Sequence, residues 1–207
     1  VINAISSYNT DTLENFTGMF RYSAITKTID ESDTSILSNI TKVKMYKFIT
    51  PTLNNGTKYT LSFNNAFFNP HSGHNSAAGG VVSSTGFKIF GDDTNEHFLD
   101  DDGAGNIRVY YLSGTTRIYT DSTYGTIDYT NGEIILTSAN ITSISNIDGA
   151  ASARVRVTVS PDSNDIVPVR NQVLSIDTAN SNVSGGIDEI ESGSSQAGTG
   201  YTTTSSY

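Results

Sequence analysis

The chain has 207 residues, no cysteine and a formal net charge of −9, so it can bury a real core but can form neither a disulfide frame nor a thiolate metal site. The acidic balance argues against a duplex-binding protein, which needs a basic stripe to displace counterions, and no apolar run approaches the roughly 20 residues required to span a bilayer. Charged residues are only 16%, below the usual quarter; Ser, Thr and Asn stand in their place, a composition that suits β surfaces and turns.

The opening Val1 to Ile5 lacks the basic start of a signal peptide, and without an initiator Met the chain is expected to be a piece of a longer one. Asp11-Thr12-Leu13-Glu14 has capping-box form and predicts a helix start, with Leu13, Phe16 and Phe20 as its apolar stripe. Phe20 to Asp30 suits helix or strand; Ile25 and Ile29, four apart, favour a helix that stops near Ser32-Asp33. From Ile40 the period becomes two, with Val43 and Met45 alternating with Lys42, Lys44 and Lys47 until Thr50-Pro51 ends the strand.

Asn54-Asn55-Gly56 is a turn before a strand at Tyr59 to Phe63, and the polar stretch Asn69 to Gly80 reads as a mobile loop. Val81-Val82 and Phe87 to Phe90 lead into Phe98 to Leu136, a run of short strands joined by tight turns. Its last turn, Asn131-Gly132 between two β-rich runs, is a strong hairpin signal because a type I′ turn needs positive φ at both central residues. Thr137 to Ala151 is weakly patterned. Ala153 to Val159 alternates again, valines on one side and Arg154, Arg156 and Thr158 on the other. If this strand lies antiparallel to the lysine-bearing one, its cations crowd, so acidic side chains or a partner must lie across them. Pro161 and Pro168 bracket a loop before Val169 to Ile176. No Lys or Arg follows Arg170, whereas Asp177, Asp188, Glu189 and Glu191 do, and Ser192 to Tyr207 reads as a flexible or partner-ordered tail.

The chemistry-bearing motifs are few. Asp100-Asp101-Asp102-Gly103-Ala104-Gly105-Asn106 could converge on calcium, but Ala104 replaces a ligand and Tyr111 stands where a closing Glu belongs, so a solvated turn is the favoured reading. His71 and His74 are three apart with His97 remote, a weak zinc set in a polar loop. There is no nucleophile elbow, phosphate-cradling loop or zinc-protease helix. A glycosidase carboxylate pair needs only a set separation, but the acids here fall mainly in turns, helix starts and the tail. Asn-X-Ser/Thr triplets begin at Asn15, Asn39, Asn55, Asn140 and Asn182, a frequency that chance explains in so Asn-, Ser- and Thr-rich a chain. Tyr110, Tyr111, Tyr119, Tyr124 and Tyr129 would be either cross-strand stabilisers, the favoured reading, or a stacking platform for sugar.

Several stretches together resemble one family. Phe20-Arg21-Tyr22-Ser23, then Ile29 to Asn39, then a basic strand ending in Thr50-Pro51-Thr52-Leu53, are similar to the C-terminal portion of the baseplate wedge subunit (gene product six) of T-even-like contractile-tailed phages, a relative of the baseplate J-like family. Gly125 to Gly132 and Ser160 to Gln172 fit the same subunit, so the likeness runs in order from about Ser7 to Ile176. The resemblance implies a structural virion protein of the tail baseplate, made in the host cytoplasm. It implies self-pairing, dimer contacts within a ring around the tail hub, contacts with other wedge proteins, and rearrangement when contraction is triggered. It supplies no catalytic residue, so no enzyme activity and no cofactor are expected.

The expected architecture is α+β and predominantly antiparallel β. A split α+β module (1–53 and 150–178), with Ile40 to Phe48 and Ala153 to Val159 in one sheet, carries an inserted β-meander domain (54–149) and a Gly/Ser/Thr-rich flexible C-terminal tail (179–207). Lys42, Lys44, Lys47, Arg154 and Arg156 are the expected contacts to an acidic neighbour, set against the possibility of ordinary solvated strand faces. Neither nucleic acid nor a membrane span is expected. The alternative function is a receptor- or glycan-binding phage tail module built on the tyrosines.

Overall fold

The computed structural model describes residues 1–74, 80–169 and 172–186. The chain is an α+β protein dominated by antiparallel strands. The expected flexible tail from Ser192, and residues 75–79 of the expected mobile loop at Asn69 to Gly80, lie outside the described residues. Among the described residues no helix is long and apolar enough to cross a membrane.

The first helix, α1 (Ile2–Tyr8), buries Ile5 and Tyr8, three apart on one face. It runs into a π-helical turn, Asn9–Leu13, that buries Leu13. The capping-box reading of Asp11 is therefore corrected: Asp11 and Glu14 lie at the end of this helical segment, not at the start of another. Glu14 Oε1 accepts from Asn9 Nδ2 at 2.8 Å instead of reaching a backbone amide, and Phe16 is exposed. Helix α2 (Tyr22–Asp30) forms where the Ile25 and Ile29 spacing places it, with Ile25 buried. Its first amide, Tyr22 N, donates to the Asp165 carboxylate at 2.8 Å, supplying from far along the chain the cap that its own sequence lacks.

Strands β1 (Met45–Ile49), β2 (Gly56–Ser62), β3 (Val82–Ser84), β4 (Phe87–Ile89), β5 (Asp92–Asp101), β6 (Asn106–Ser113), β7 (Thr116–Asp128), β8 (Glu133–Ile144) and β9 (Val155–Val159) follow. β1 and β9 pair antiparallel in the register Met45 to Val159 and Ile49 to Val155, as their alternation implies. β3, from the segment expected to be an insertion, adds to the other edge of β9. The meander β5 to β8 is present as read, but its strands are longer than the apolar pattern alone marks. β5 begins in the polar run Asp92 to Glu96, β7 continues unbroken through Thr123, and β8 extends into the weakly patterned Thr137 to Ile144. Pairing with a neighbouring strand, β4 for the start of β5, β6 for the middle of β7, and β2 and β4 for the end of β8, holds such residues in strands without help from side-chain hydrophobicity.

Pairings β8–β4, β4–β5, β5–β6, β6–β7 and β7–β8 close into a ring, and β2 also pairs with β8. Closure leaves fewer open edges for adventitious pairing. Gly125 is where β7 meets both neighbours, paired with Ile107 and Leu136, and a Cβ there would lie 2.3 Å from the Ile135 carbonyl oxygen. Only glycine allows that approach. Phe87, Leu99, Ile107, Val109, Ile134, Leu136 and Ile141 fill the interior, and the same core runs on into Val155, Val157 and Val159 of β9. A second core joins Ile5, Tyr8, Leu13, Phe20 and Ile25 to Ile166 from the chain beyond β9, and Met45 packs against both. That returning arm is pinned by the Phe20–Ile166 bridge, by Ile176 N on Asn9 Oδ1 at 2.6 Å, and by the Ser175 hydroxyl on Glu14 at 3.1 Å.

Candidate assembly surface

The strand period decides which cations share a face. Along β1, Met45, Lys47 and Ile49 turn toward the core while Tyr46 and Phe48 turn out, and the exposed Lys42 and Lys44 continue the outward set. Lys47 is thereby separated from the other two, which corrects its grouping with them on a single basic face. It lies inward, its ammonium donating to the Ser62 carbonyl at 2.6 Å and standing 5.7 Å from the Phe63 ring centre; burial pulls its pKa down.

Arg154 and Arg156 do project outward from the β9 side, across from Phe48 and Tyr46. The Arg154 guanidinium lies 4.1 Å from the Phe48 ring centre and Arg156 5.9 Å from that of Tyr46, while the two rings meet edge-on at 5.3 Å. Arg156 pairs with Asp148 at 3.1 Å, and the Tyr46 hydroxyl donates to Asp177 at 2.9 Å. Burial first, then the Asp177 carboxylate, pushes the Tyr46 pKa up. The crowding of cations is thus relieved within the chain by stacking on aromatic faces and by two acids. Tyr46 and Phe48 were legible as part of this face, since they share the even parity of Lys42 and Lys44. Asp148 and Asp177 carried no such signal.

The Asp triplet sends its carboxylates to three different places, because consecutive strand residues point to opposite faces. Asp100, on the outer face, takes Arg108 Nε at 2.9 Å, an Arg117 nitrogen at 2.8 Å and the Tyr119 hydroxyl at 2.9 Å. Asp101, fully buried, accepts from Val81 N at 2.6 Å, Val82 N at 2.9 Å and the Tyr129 hydroxyl at 2.6 Å. Asp102 closes the turn by accepting from Ala104 N at 2.8 Å and Asn106 N at 2.9 Å. The three are fold latches and do not converge on a cation. Among the described residues, no three His, Asp or Glu side chains gather as a metal site.

The histidines also separate. His71 and His74 touch in the loop, 3.2 Å between ring nitrogens, whereas His97 is buried edge-on to Tyr111, with Asp92 3.4 Å from its Nε2. Burial lowers the His97 pKa below its usual 6.5, so the folded protein favours the neutral ring and the unfolded chain charges first on acidification. Stability should be full above pH 6.5 and fall as the pH drops below it, by at most about 1.4 kcal/mol per pH unit from this group. Urea melts of wild type and His97→Phe between pH 5 and 8 check this: the difference between the two should narrow or reverse at the acidic end. The tyrosines occupy different faces, with Tyr110 and Tyr119 beside Asp100, Tyr111 beside His97, and Tyr124 and Tyr129 against the core. They make no common platform.

A search of curated proteins finds no match to the chain. Residues 1–48, which hold α1, α2 and β1 as far as Phe48, match the family model described as baseplate structural protein gp6, C-terminal domain III. Over this segment the chain is similar to that gp6 domain, and the match supports a structural role in a phage baseplate.

Proposed function

We propose that this chain is a wedge subunit of a contractile phage tail baseplate, found in the virion after synthesis in the host cytoplasm. It pairs with copies of itself and with other wedge proteins in a ring around the tail hub that rearranges when contraction is triggered. The gp6 match over residues 1–48 carries this reading. The outer face of β1 and β9 supports it: half-exposed Tyr46 and Phe48, each beside an arginine, make a flat amphipathic patch of the residue types that dominate protein interfaces. No catalytic role is assigned to any residue.

Sedimentation velocity across a concentration series tests the self-association. The wild type should shift from monomer to dimer or larger species, and Phe48→Ser combined with Arg154→Glu should weaken that association by about tenfold or more, the loss expected for an aromatic anchor. A wild type that remains monomeric at about 100 µM, a range where weak specific pairs are populated, would defeat the homotypic part of the reading.

A further inference from the structure

Between α2 and β1 the chain is laid out as a strand that has no strand beside it. Exposure alternates from Ile40 through Lys44 in phase with β1, with Ile40, Lys42 and Lys44 outward and Thr41 and Val43 inward. Yet the ladder with β9 begins only at Met45, and the backbone amides and carbonyls of Ile40, Lys42, Val43 and Lys44 have no hydrogen-bond partner among the described residues. β9 cannot continue the ladder. Ser160 N donates to the Val81 carbonyl, the Ser160 carbonyl is taken by Phe68 N, and Pro161 has no amide to offer.

The segment is nevertheless fixed in place. The Tyr22 hydroxyl donates to the Thr41 carbonyl at 3.1 Å, Asn39 Nδ2 donates to the Thr26 carbonyl and the Asp30 carboxylate, and Val43 packs on the second core. A pre-extended strand held by its side chains has already lost the conformational freedom that strand addition would otherwise cost. Its outward side chains are uncovered: Ile40 is 92% and Leu37 81% exposed. Lys42 and Lys44 have no carboxylate within ion-pairing distance among the described residues, in a chain whose net charge is −9.

We propose that Ile40 to Lys44 is a strand-addition site for an extended acidic segment of a neighbouring chain. Its backbone would complete the open ladder, and its alternate carboxylates would lie across Lys42 and Lys44. Charge sets the choice of occupant, because two outward lysines two residues apart disfavour a basic strand beside them and gain from carboxylates placed across them. The proposal deepens the assembly reading and rests on it, while using the open backbone edge at Ile40 to Lys44, next to the Tyr46–Phe48 patch on the same outward face.

The test is peptide binding to the full chain by fluorescence anisotropy, with a labelled ten-residue peptide of alternating glutamate and valine. Controls are the same peptide N-methylated at every second residue and an alternating lysine and valine peptide. The glutamate peptide should bind, with affinity that falls as salt rises; both controls should bind at least about tenfold more weakly. The double variant Lys42→Glu, Lys44→Glu, at solvent-exposed positions and checked for fold by circular dichroism, should lose the binding to a similar extent. Absence of binding to wild type, equal binding of the N-methylated peptide, or full binding to the charge-reversed variant would each overturn the proposal. Failure here with concentration-dependent self-association intact would remove this site and leave the wedge reading standing.

Discussion

Replacing Asp101 with alanine should cost about 3–5 kcal/mol of folding stability, since it strands three buried donors at once and each unsatisfied group costs roughly 1–3 kcal/mol. The carboxylate is wholly inside the protein, where it takes the amides of Val81 and Val82 and the hydroxyl of Tyr129. Those partners tie two separate parts of the chain to the end of β5: the start of β3 with the residue just before it, and the turn after β7. Gly80 belongs to the same latch. It has φ of +73°, and a Cβ there would overlap the Asp101 carboxylate, so the chain passes the acid only because that position has no side chain. Asp101→Asn keeps one acceptor oxygen and should lose less, about 1–3 kcal/mol, while Tyr129→Phe removes a single bond and should lose about 1–2 kcal/mol. Urea denaturation followed by tyrosine fluorescence gives all three values. A loss below about 1 kcal/mol for the alanine variant would mean that water reaches these groups and that the latch is not what holds β3 against β5.

How much of this was legible follows the range over which each interaction acts. α2, the β5 to β8 hairpins and the β1–β9 pairing depend on local period and turn chemistry, which adjacent residues display. The start of the chain was harder. A capping box at Asp11 to Glu14 describes a local option, and the chain takes another because Ile5, Tyr8 and Leu13 find a core made partly by Ile166. The polar half of β5 and the Ser/Asn/Ile-rich half of β8 gave no strand signal of their own, since what fixes them is ladder partners distant in the sequence or across a turn, β4 for the first and β2 and β4 for the second. The same logic divides the candidate surface. The outward set from Lys42 to Phe48 could be read from parity, and parity also excludes Lys47. The acids that serve the two arginine-bearing faces, Asp148 and Asp100, could not be matched to Arg156 and to Arg108 and Arg117 until the fold brought them together. The three-Asp stretch offered a cation loop as the alternative to a solvated turn because sequence shows density of charge but not direction, and neither reading marks Asp100 and Asp101 as buried. In a strand, neighbours point opposite ways.

Asp100→Ala should be as damaging as the loss of Asp101, by about 3–5 kcal/mol, but for a different reason: it leaves two arginines facing each other with their shared counter-charge gone. Asp100 is 1% exposed, and each carboxylate oxygen is committed, one to Arg108 and the other to Arg117 and the Tyr119 hydroxyl. The arginines in turn cover rings, Arg108 at 4.3 Å from the Tyr119 centre and Arg117 at 4.6 Å from that of Tyr110, so the acid organises a layer of alternating guanidinium and aromatic groups across β5, β6 and β7. Removing the more buried Arg108 with the acid should restore part of the loss, because the remaining Arg117 can swing to water. The double variant Asp100→Ala, Arg108→Ala should therefore be less destabilised than the sum of its parts, with a coupling of at least about 1 kcal/mol. Removing Arg117 with the acid should recover less, since about a third of its side chain already lies in solvent and its interaction is screened there. Thermal or urea melts of the four variants in each cycle decide the point. Strict additivity at Arg108 would show that Asp100 contributes only through packing, and that the layer on this face is held by its rings alone.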